Sequence, residues 1–167
     1  MKNNYICKIA SLEEMNKKWD YEIENHPESQ SNWIIWKKGS IENFKNGDII
    51  PYYGILDGKI ICEATAMLNP RCVQNSDGLV KDDTVYLSAF RTVREYQGKG
   101  FFSILLNFML DDLKKKGFIK ATLGVEPSEK INKSIYEHFG FTEYIKSSKE
   151  KYPDGTVIDV DYYGKSL

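Results

Sequence analysis

The sequence contains few of the residues that build disulfide frameworks and metal centres. It has three cysteines, Cys7, Cys62 and Cys72, which is an odd number without CxxC spacing. We therefore expect reduced thiols rather than a disulfide framework or a zinc site. The two histidines, His26 and His138, fall at positions expected to lie on the surface. The sequence thus predicts a protein without a bound metal.

The chain also lacks an excess of charge of either sign and any long apolar run. Lysine and arginine number 23 against 24 for aspartate and glutamate, so the formal net charge is -1. A balanced charge gives no electrostatic footprint for nucleic acid or for an anionic membrane. No apolar run approaches the ~18 residues of a membrane-spanning helix, and the first residues lack a signal-peptide core. We expect a cytoplasmic protein with neither nucleic acid nor membrane as a partner.

What the sequence does contain is a regular succession of strand and helix patterns. A length of 167 residues suits a single domain, 1–167. The segment Ser11-Leu12-Glu13-Glu14 is a capping-box pattern, Asp57-Gly58 a hairpin turn, Gly117 a helix end and Ser128 a helix N-cap. The predicted strands cover 5–10, 49–56, 59–68, 85–90, 118–125, 141–149 and 156–163, and the predicted helices lie within 11–26, 29–45, 101–116 and 128–140. The order β-α-α-β-β-β-α-β-α-β-β predicts an α/β (α+β) fold, with a mixed, mostly antiparallel sheet and helices on both faces.

The segment between the strand 85–90 and the helix 101–116 is the most informative part of the chain. It places Gly98 and Gly100 directly before the helix begins. The first N–H groups of a helix lack intrahelical acceptors, and the helix dipole adds positive potential there. Glycine lets the backbone approach a ligand closely. The segment therefore predicts an anion site, most typically for phosphate, with an ordinary structural turn as the alternative.

Two common phosphate-binding motifs do not fit this turn. A Walker loop requires Lys followed by Ser or Thr after its last glycine, whereas Phe101 follows Gly100. The dinucleotide-binding fingerprint requires a third glycine near the position that Ser103 occupies. A different class of phosphate-containing ligand is therefore expected.

The segment Gln97-Gly98-Lys99-Gly100-Phe101-Phe102 resembles the acyl-CoA signature of the GNAT superfamily of N-acetyltransferases, Gln/Arg-x-x-Gly-x-Gly/Ala. The segment Tyr136-Glu137-His138-Phe139-Gly140-Phe141 resembles a second landmark of that superfamily, a helix that ends in Tyr-x-x-x-Gly-Phe. The chain departs from the pattern at Phe102, where Gly or Ala is usual, and at Glu129, where many members carry Asn. The resemblance is strongest from Val85 to Phe141, and it implies the same order of strands and helices.

The resemblance also implies where acetyl-CoA binds as a cosubstrate. In the superfamily, the strands before and after the glycine turn splay apart and pantetheine lies between them. The residues that this assigns to the cofactor are Phe90, Arg91, Thr92, Gln97, Gly98, Lys99, Gly100, Phe101, Phe102, Ser103 and Asn132.

Acyl transfer to an amine needs one group that takes a proton from the amine and another that stabilises the leaving thiolate. Tyr136 matches the superfamily position that often faces the CoA sulfur, and a phenol with a pKa of about 10 stays protonated at neutral pH. A tyrosine packed at a helix–sheet junction is the alternative. Glu126 and Glu63 are the carboxylates expected to approach the cleft as the base. The alternative for both glutamates is that they face solvent. Many family members use a chain of water molecules instead of a protein base.

These observations predict an N-acetyltransferase that moves an acetyl group from acetyl-CoA directly to a primary amine in a ternary complex. The acceptor is a small molecule or a peptide. An aromatic wall next to it would be drawn from Trp33, Trp36, Tyr52, Tyr53 and Tyr86. A homodimer is compatible with the resemblance. The alternatives are a non-catalytic acyl-CoA-binding module of the same fold and an unrelated α/β domain with a structural glycine turn.

Overall fold

Strands and helices follow one another along the chain in the predicted order. The computed structural model describes residues 3–167. The strands are β1 (Tyr5–Ile9), β2 (Ile49–Leu56), β3 (Lys59–Met67), β4 (Thr84–Thr92), β5 (Lys120–Val125), β6 (Glu143–Lys151) and β7 (Val157–Ser166). The helices are α1 (Leu12–Asn25), α2 (Gln30–Lys45), α3 (Phe101–Lys115) and α4 (Lys130–His138).

The seven strands form one sheet in the order β1-β2-β3-β4-β5-β7-β6. Every neighbouring pair is antiparallel except β4 and β5, which are parallel. A parallel pair needs a crossover connection, and here α3 lies in that connection. The prediction of a mixed, mostly antiparallel sheet is confirmed.

Helices cover both faces of the sheet, as predicted. Leu105 and Met109 of α3 pack in one core with Tyr52 of β2, whereas Trp19 of α1 packs in a second core with Tyr53. Successive residues of a strand point to opposite faces, so these two tyrosines show that the two cores lie on opposite sides. Tyr52 and Tyr53 are 0% and 1% exposed. They therefore belong to the core rather than to an aromatic wall around an acceptor.

Most of the predicted helix ends are confirmed, and one is wrong. The capping box at Ser11 is present, and Gly117 follows α3 with a φ of +96°. Ser128, however, does not cap α4. The chain first makes a turn in which the N–H of Glu129 donates to the carbonyl oxygen of Glu126 at 2.9 Å. This turn makes Glu129 the N-cap residue, and no side chain caps the helix.

Candidate active site

Strands β4 and β5 separate at one end of the sheet. Their parallel pairing ends at Leu87 and Leu123, although β4 continues to Thr92 and β5 to Val125. Ala89 of β4 has a φ of +56°, and the register between β3 and β4 shifts at the same level. A bulge of this kind bends its strand away from the regular ladder. The two strands therefore splay apart where the sequence predicts that they do.

A buried polar atom without a partner lies beside this bulge. The Oγ atom of Ser88, directly before Ala89, makes no hydrogen bond within residues 3–167. Leaving a buried hydroxyl unpaired costs about 1–3 kcal/mol. Buried hydroxyl groups usually have a hydrogen-bond partner, which a water or a ligand can supply here.

The glycine turn lies between the end of β4 and the beginning of α3. The side-chain amide of Gln97 donates to the carbonyl oxygen of Thr92 at 3.0 Å, which ties the turn to the strand. Gly98 and Gly100 have φ values of +71° and +83°, which a side chain disfavours. Gly100 is the N-cap residue of α3, and no side chain caps this helix. The N–H of Ser103, in the first turn, has no acceptor within the helix. The geometry is that of an anion site.

Tyr136 of α4 lies next to the bulge through a contact with Phe90. The ring centroid of Phe90 lies 5.4 Å from that of Tyr136 and 5.4 Å from that of Phe102. Gly140 follows α4 with a φ of +94°, and the N–H of Phe141 donates to the carbonyl oxygen of Tyr136 at 3.0 Å. The Tyr-x-x-x-Gly-Phe motif thus fixes both the end of the helix and the position of its tyrosine.

The hydroxyl of Tyr136 makes no hydrogen bond to the residues that the structure describes. Burial, with a smaller contribution from the charge of Glu129, raises the pKa of Tyr136 to about 12. A phenol with this pKa keeps its proton throughout the physiological range. The Tyr136 hydroxyl is therefore available as a hydrogen-bond donor beside the gap between β4 and β5.

A buried network of charges lies on the other face of the sheet, beneath α1 and α2. Lys18 Nζ lies 2.6 Å from Glu63 Oε2, and Arg91 Nε lies 3.3 Å from Glu63 Oε1. The guanidinium group of Arg91 also lies 3.7 Å from Glu22 and 4.3 Å from the centre of the Trp33 ring. A cavity of about 190 Å³ lies beside this network. Glu63 is 3% exposed, so the interpretation of a solvent-facing residue is wrong, and each of its carboxylate oxygens lies against a cation.

The β6–β7 hairpin is joined to α2 by direct contacts. The side-chain amide of Asn32 donates to Asp154 Oδ2 at 2.9 Å, and the N–H of Asp154 donates to Asn32 Oδ1 at 2.9 Å. Tyr152 and Trp36 stack edge to face, with ring centroids 5.2 Å apart. Burial raises the pKa of Tyr152, and the nearby charge of Glu126 raises it further. Glu126 therefore lies close to this bridge between the hairpin and α2.

Glu150 of β6 is an acidic residue near Glu126 that carries no recognisable signal in the sequence. Its Oε2 atom accepts a hydrogen bond from the Tyr162 hydroxyl at 3.0 Å. Burial raises the pKa of Glu150, the bond from Tyr162 lowers it, and the charge of Glu126 raises it, with a net upward shift. In the sequence Glu150 stands between Lys149 and Lys151, which is typical of a solvated strand. Only the pairing of β6 with β7 reveals its burial.

The remaining predicted residues lie around the glycine turn and on α4. Lys99 is exposed, with its Nζ atom 5.9 Å from the centre of the Tyr96 ring. Asn132 is exposed, and its side-chain amide donates to Glu129 Oε2 at 3.2 Å. Asn132 therefore contacts the residue at which the chain departs from the superfamily pattern.

A larger hollow of about 480 Å³ lies between α3 and α4. It is lined by the polar side chains of Ser103, Lys130, Ser134 and His138 and by the apolar side chains of Ile131, Ile135 and Phe139. Ile131 is 78% exposed. Ser103 belongs to the first turn of α3, so this hollow continues from the glycine turn. Exposed apolar surface next to a polar turn is typical of a ligand site.

In the part of the chain that the structure describes, no group of three or more His, Cys, Asp or Glu side chains could hold a metal ion. None of the helices within residues 3–167 combines the length and the apolar character needed to traverse a bilayer. The three cysteines are free thiols.

In this site, a parallel strand pair splays apart beside a glycine turn and an uncapped helix N-terminus. The sequence resemblance implies this arrangement for an acyl-CoA-dependent transferase. The model of the acetyltransferase (GNAT) family matches residues 9–141. The chain therefore belongs to the GNAT acetyltransferase family. A comparison with curated proteins gave no significant match.

Solved structures with the same fold include N-acetyltransferases that act on ribosomal proteins. The ribosomal-protein-S18-alanine N-acetyltransferase from Escherichia coli has a TM-score of 0.66 and 18% identity, with 98% of this chain and 94% of that chain covered. The ribosomal-protein-alanine N-acetyltransferase from Brucella melitensis has a TM-score of 0.72 and 13% identity, with coverages of 97% and 99%. A ribosomal L7/L12 alpha-N-protein acetyltransferase in complex with coenzyme A has a TM-score of 0.71 and 12% identity, with coverages of 99% and 95%. At these identities the likeness shows the fold.

Proposed function

We propose that this protein is an acetyl-CoA-dependent N-acetyltransferase that acts by direct transfer to a primary amine in a ternary complex. One observation carries the proposal. The glycine turn, with Gly98 and Gly100 at positive φ, leads from the splayed end of β4 into an uncapped helix, and Tyr136 lies beside the same splayed strand. Membership of the GNAT family supports acetyl transfer as the reaction.

The residues around the gap fit the parts of acetyl-CoA. The backbone of Gly98, Lys99, Gly100 and Ser103 would hold the diphosphate, because the turn offers exposed main chain at the positive end of a helix. Gln97 would support this turn through its bond to β4. The hollow between α3 and α4 would take the nucleotide end.

The pantetheine arm would lie along the free edge of β4. The backbone of Phe90, Arg91 and Thr92 has no ladder partner on β5, and an extended arm can use such groups as an added strand would. The unpaired hydroxyl of Ser88 offers one further polar contact beside the bulge.

Tyr136 would stabilise the leaving sulfur by donating a hydrogen bond. Its pKa of about 12 lies well above the value of about 8.5 for a thiol, so complete transfer of its proton to a thiolate is uphill. A hydrogen bond to a charged atom contributes about 1.5–3 kcal/mol without such a transfer. Glu126, directly after β5, is one candidate for the base, and the neighbouring Glu150 is another.

The acceptor would be an amine of a peptide or of a small molecule. The solved relatives named above include N-acetyltransferases of ribosomal proteins, which supports a peptide or protein amine. Glu126 and Glu150 lie near the bridge between α2 and the β6–β7 hairpin, since the charges of both raise the pKa of Tyr152. Their charge favours a cationic acceptor. A cytoplasmic location stays a prediction. A homodimer also stays a prediction, and light scattering in solution measures the oligomeric state.

The test is the release of CoA thiol from acetyl-CoA across a panel of amines, polyamines, aminoglycosides and peptides, together with the melting temperature at saturating acetyl-CoA. The proposal predicts stabilisation by several degrees and turnover with at least one acceptor. Stabilisation without turnover would favour the non-catalytic acyl-CoA-binding module, which the departures at Phe102 and Glu129 suggest. No stabilisation at millimolar acetyl-CoA would contradict both.

A further inference from the structure

Glu150 belongs to β6, but it is connected to the point where β4 and β5 separate. The connection runs through Tyr162 of β7, whose hydroxyl donates to Glu150 and whose ring packs against Gly124 of β5. A Cβ atom at Gly124 would lie 3.0 Å from the Tyr162 ring and 2.9 Å from the Tyr86 hydroxyl. Gly124 directly follows Leu123, where the pairing of β5 with β4 ends. Because Gly124 has no side chain, the phenols of Tyr162 and Tyr86 can both lie next to the gap between β4 and β5.

The hydrogen bonds around Tyr162 fix one oxygen of Glu150 and leave the other free. The side-chain amide of Asn75 donates to the Tyr162 hydroxyl oxygen at 3.3 Å. Because a phenol has one proton, Tyr162 gives that proton to Glu150 Oε2. Tyr162 is 0% exposed, so it holds the carboxylate from a rigid position. Within residues 3–167, Glu150 Oε1 accepts no hydrogen bond.

The cation near this acidic pair is engaged with other carboxylates: Arg91, whose charge also acts on Tyr152, lies 3.3 Å from Glu63 and 3.7 Å from Glu22. Glu150 and Glu126 form no ion pair among residues 3–167. Of the three lysines of β6, Lys149 pairs with Asp159 at 2.5 Å and Lys146 donates to backbone carbonyl oxygens. Lys151 directly follows Glu150 and so points to the opposite face of the strand. A partly buried carboxylate with a second negative charge beside it is suited to receive a proton or a cation.

We propose that Glu150 is the base of the acceptor site, and that its Oε1 atom takes a proton from the acceptor's ammonium group while Tyr162 holds Oε2. The inference rests on the proposed function. Glu150 accepts one proton, and the nitrogen lone pair then forms the C–N bond to the thioester carbonyl carbon as the C–S bond breaks. The second excess proton of the nitrogen passes to the sulfur, and Glu150 releases its own proton to water. Glu126 supplies the neighbouring negative charge.

The test compares Glu150→Gln with three further variants, using an acceptor found in the amine panel. Glu150→Gln should lower kcat/KM by about 10²- to 10⁴-fold and leave the Kd for acetyl-CoA unchanged. Glu126→Gln should lower kcat/KM by less than about tenfold. Glu143→Gln, on the same strand but exposed and paired with Lys120 at 2.8 Å, should match the wild type. Tyr162→Phe keeps the carboxylate and removes its holder, so it should lower kcat/KM by about tenfold.

A second readout separates a base from a residue that only maintains the fold. With a less basic analogue of the same acceptor, more of the amine is already neutral, so the loss in Glu150→Gln should shrink. Activity of Glu150→Gln within tenfold of the wild type, or an equal loss with both acceptors, would overturn the inference alone. A wild-type protein that binds acetyl-CoA and turns over with no amine would overturn the proposed function, and the inference with it.

Discussion

The ring of Phe90 lies 5.4 Å, centroid to centroid, from the ring of Tyr136. Phe90 follows the bulge residue of β4, and Tyr136 stands two residues before the end of α4. The edge of β4 and the phenol of Tyr136 therefore lie together at the splayed end of the sheet. This contact connects the two sequence motifs of the chain to one site.

Replacement of Tyr136 by Phe should slow turnover and leave cofactor binding intact. Only the hydroxyl is removed, and that hydroxyl has no partner among the described residues. We expect kcat to fall by about 10- to 100-fold, which corresponds to the loss of one hydrogen bond to a charged atom. Steady-state kinetics measure kcat, and calorimetric titration measures the Kd for acetyl-CoA. Unchanged kcat would remove Tyr136 from the mechanism.

Replacement of Gly98 by Ala should weaken acetyl-CoA binding by at least about tenfold. Its φ of +71° makes an added Cβ cost about 1–2 kcal/mol, and the new methyl group would crowd the ligand's approach. Gly47→Ala is the matched control, because Gly47 has a φ of +77° and an added Cβ there would also meet open space. Both variants should lose similar stability in urea unfolding, but only Gly98→Ala should lose affinity. An equal affinity in the two variants would contradict the proposed diphosphate site.

The buried charge network should dominate the electrostatic contribution to stability. Lys18→Met removes one partner from Glu63, whose side chain is 4% exposed, and we expect a loss of about 3–5 kcal/mol in the free energy of unfolding. Lys17→Met is the control, since Lys17 pairs with Glu13 at the surface, where the two side chains are 69% and 80% exposed. That change should stay within about 0.5 kcal/mol. Equal losses in the free energy of unfolding of the two variants, measured in urea, would show that the buried network contributes no more to stability than a surface ion pair.

Glu150→Gln should raise the melting temperature at pH 8 and lose this advantage in acid. The folded protein raises the pKa of Glu150, so ionised Glu150 destabilises the native state above that folded-state pKa. This destabilisation declines as the pH falls through the raised pKa of Glu150 in the folded protein. It is absent below the pKa of Glu150 in the unfolded chain, which is about 4.3. Glutamine has no such penalty and can still accept the bond from Tyr162. A melting-temperature difference that is negative at pH 8, or independent of pH, would contradict this account.

Local signals in the sequence were sufficient to predict the element order and the glycine turn. A capping box at Ser11, a hairpin at Asp57-Gly58 and the turn at Gly98 each depend on a few neighbouring residues, and the structure has all three. The superfamily motifs added the strand separation and the place of Tyr136 beside it, because they report an arrangement that no local pattern specifies.

Other features depend on contacts between distant parts of the chain. The partner of Glu63 is Lys18 of α1, and the burial of Glu150 requires Tyr162 of β7. Ser128 has the chemistry of an N-cap, but the preceding turn shifts the beginning of α4 by one residue. Register and helix docking decide the partner of Glu63 and the burial of Glu150, and no window of neighbouring residues contains that information. The shift at Ser128 is local, because it arises from the bond between the N–H of Glu129 and the carbonyl oxygen of Glu126.

A crystal structure with acetyl-CoA bound tests the proposed cofactor site most directly. We expect the diphosphate against the backbone of Gly98 to Ser103, the pantetheine arm along β4 beside Phe90, and the sulfur within hydrogen-bond reach of the Tyr136 hydroxyl. A structure with the cofactor bound elsewhere, or with side chains filling the space between β4 and β5 at saturating acetyl-CoA, would contradict it.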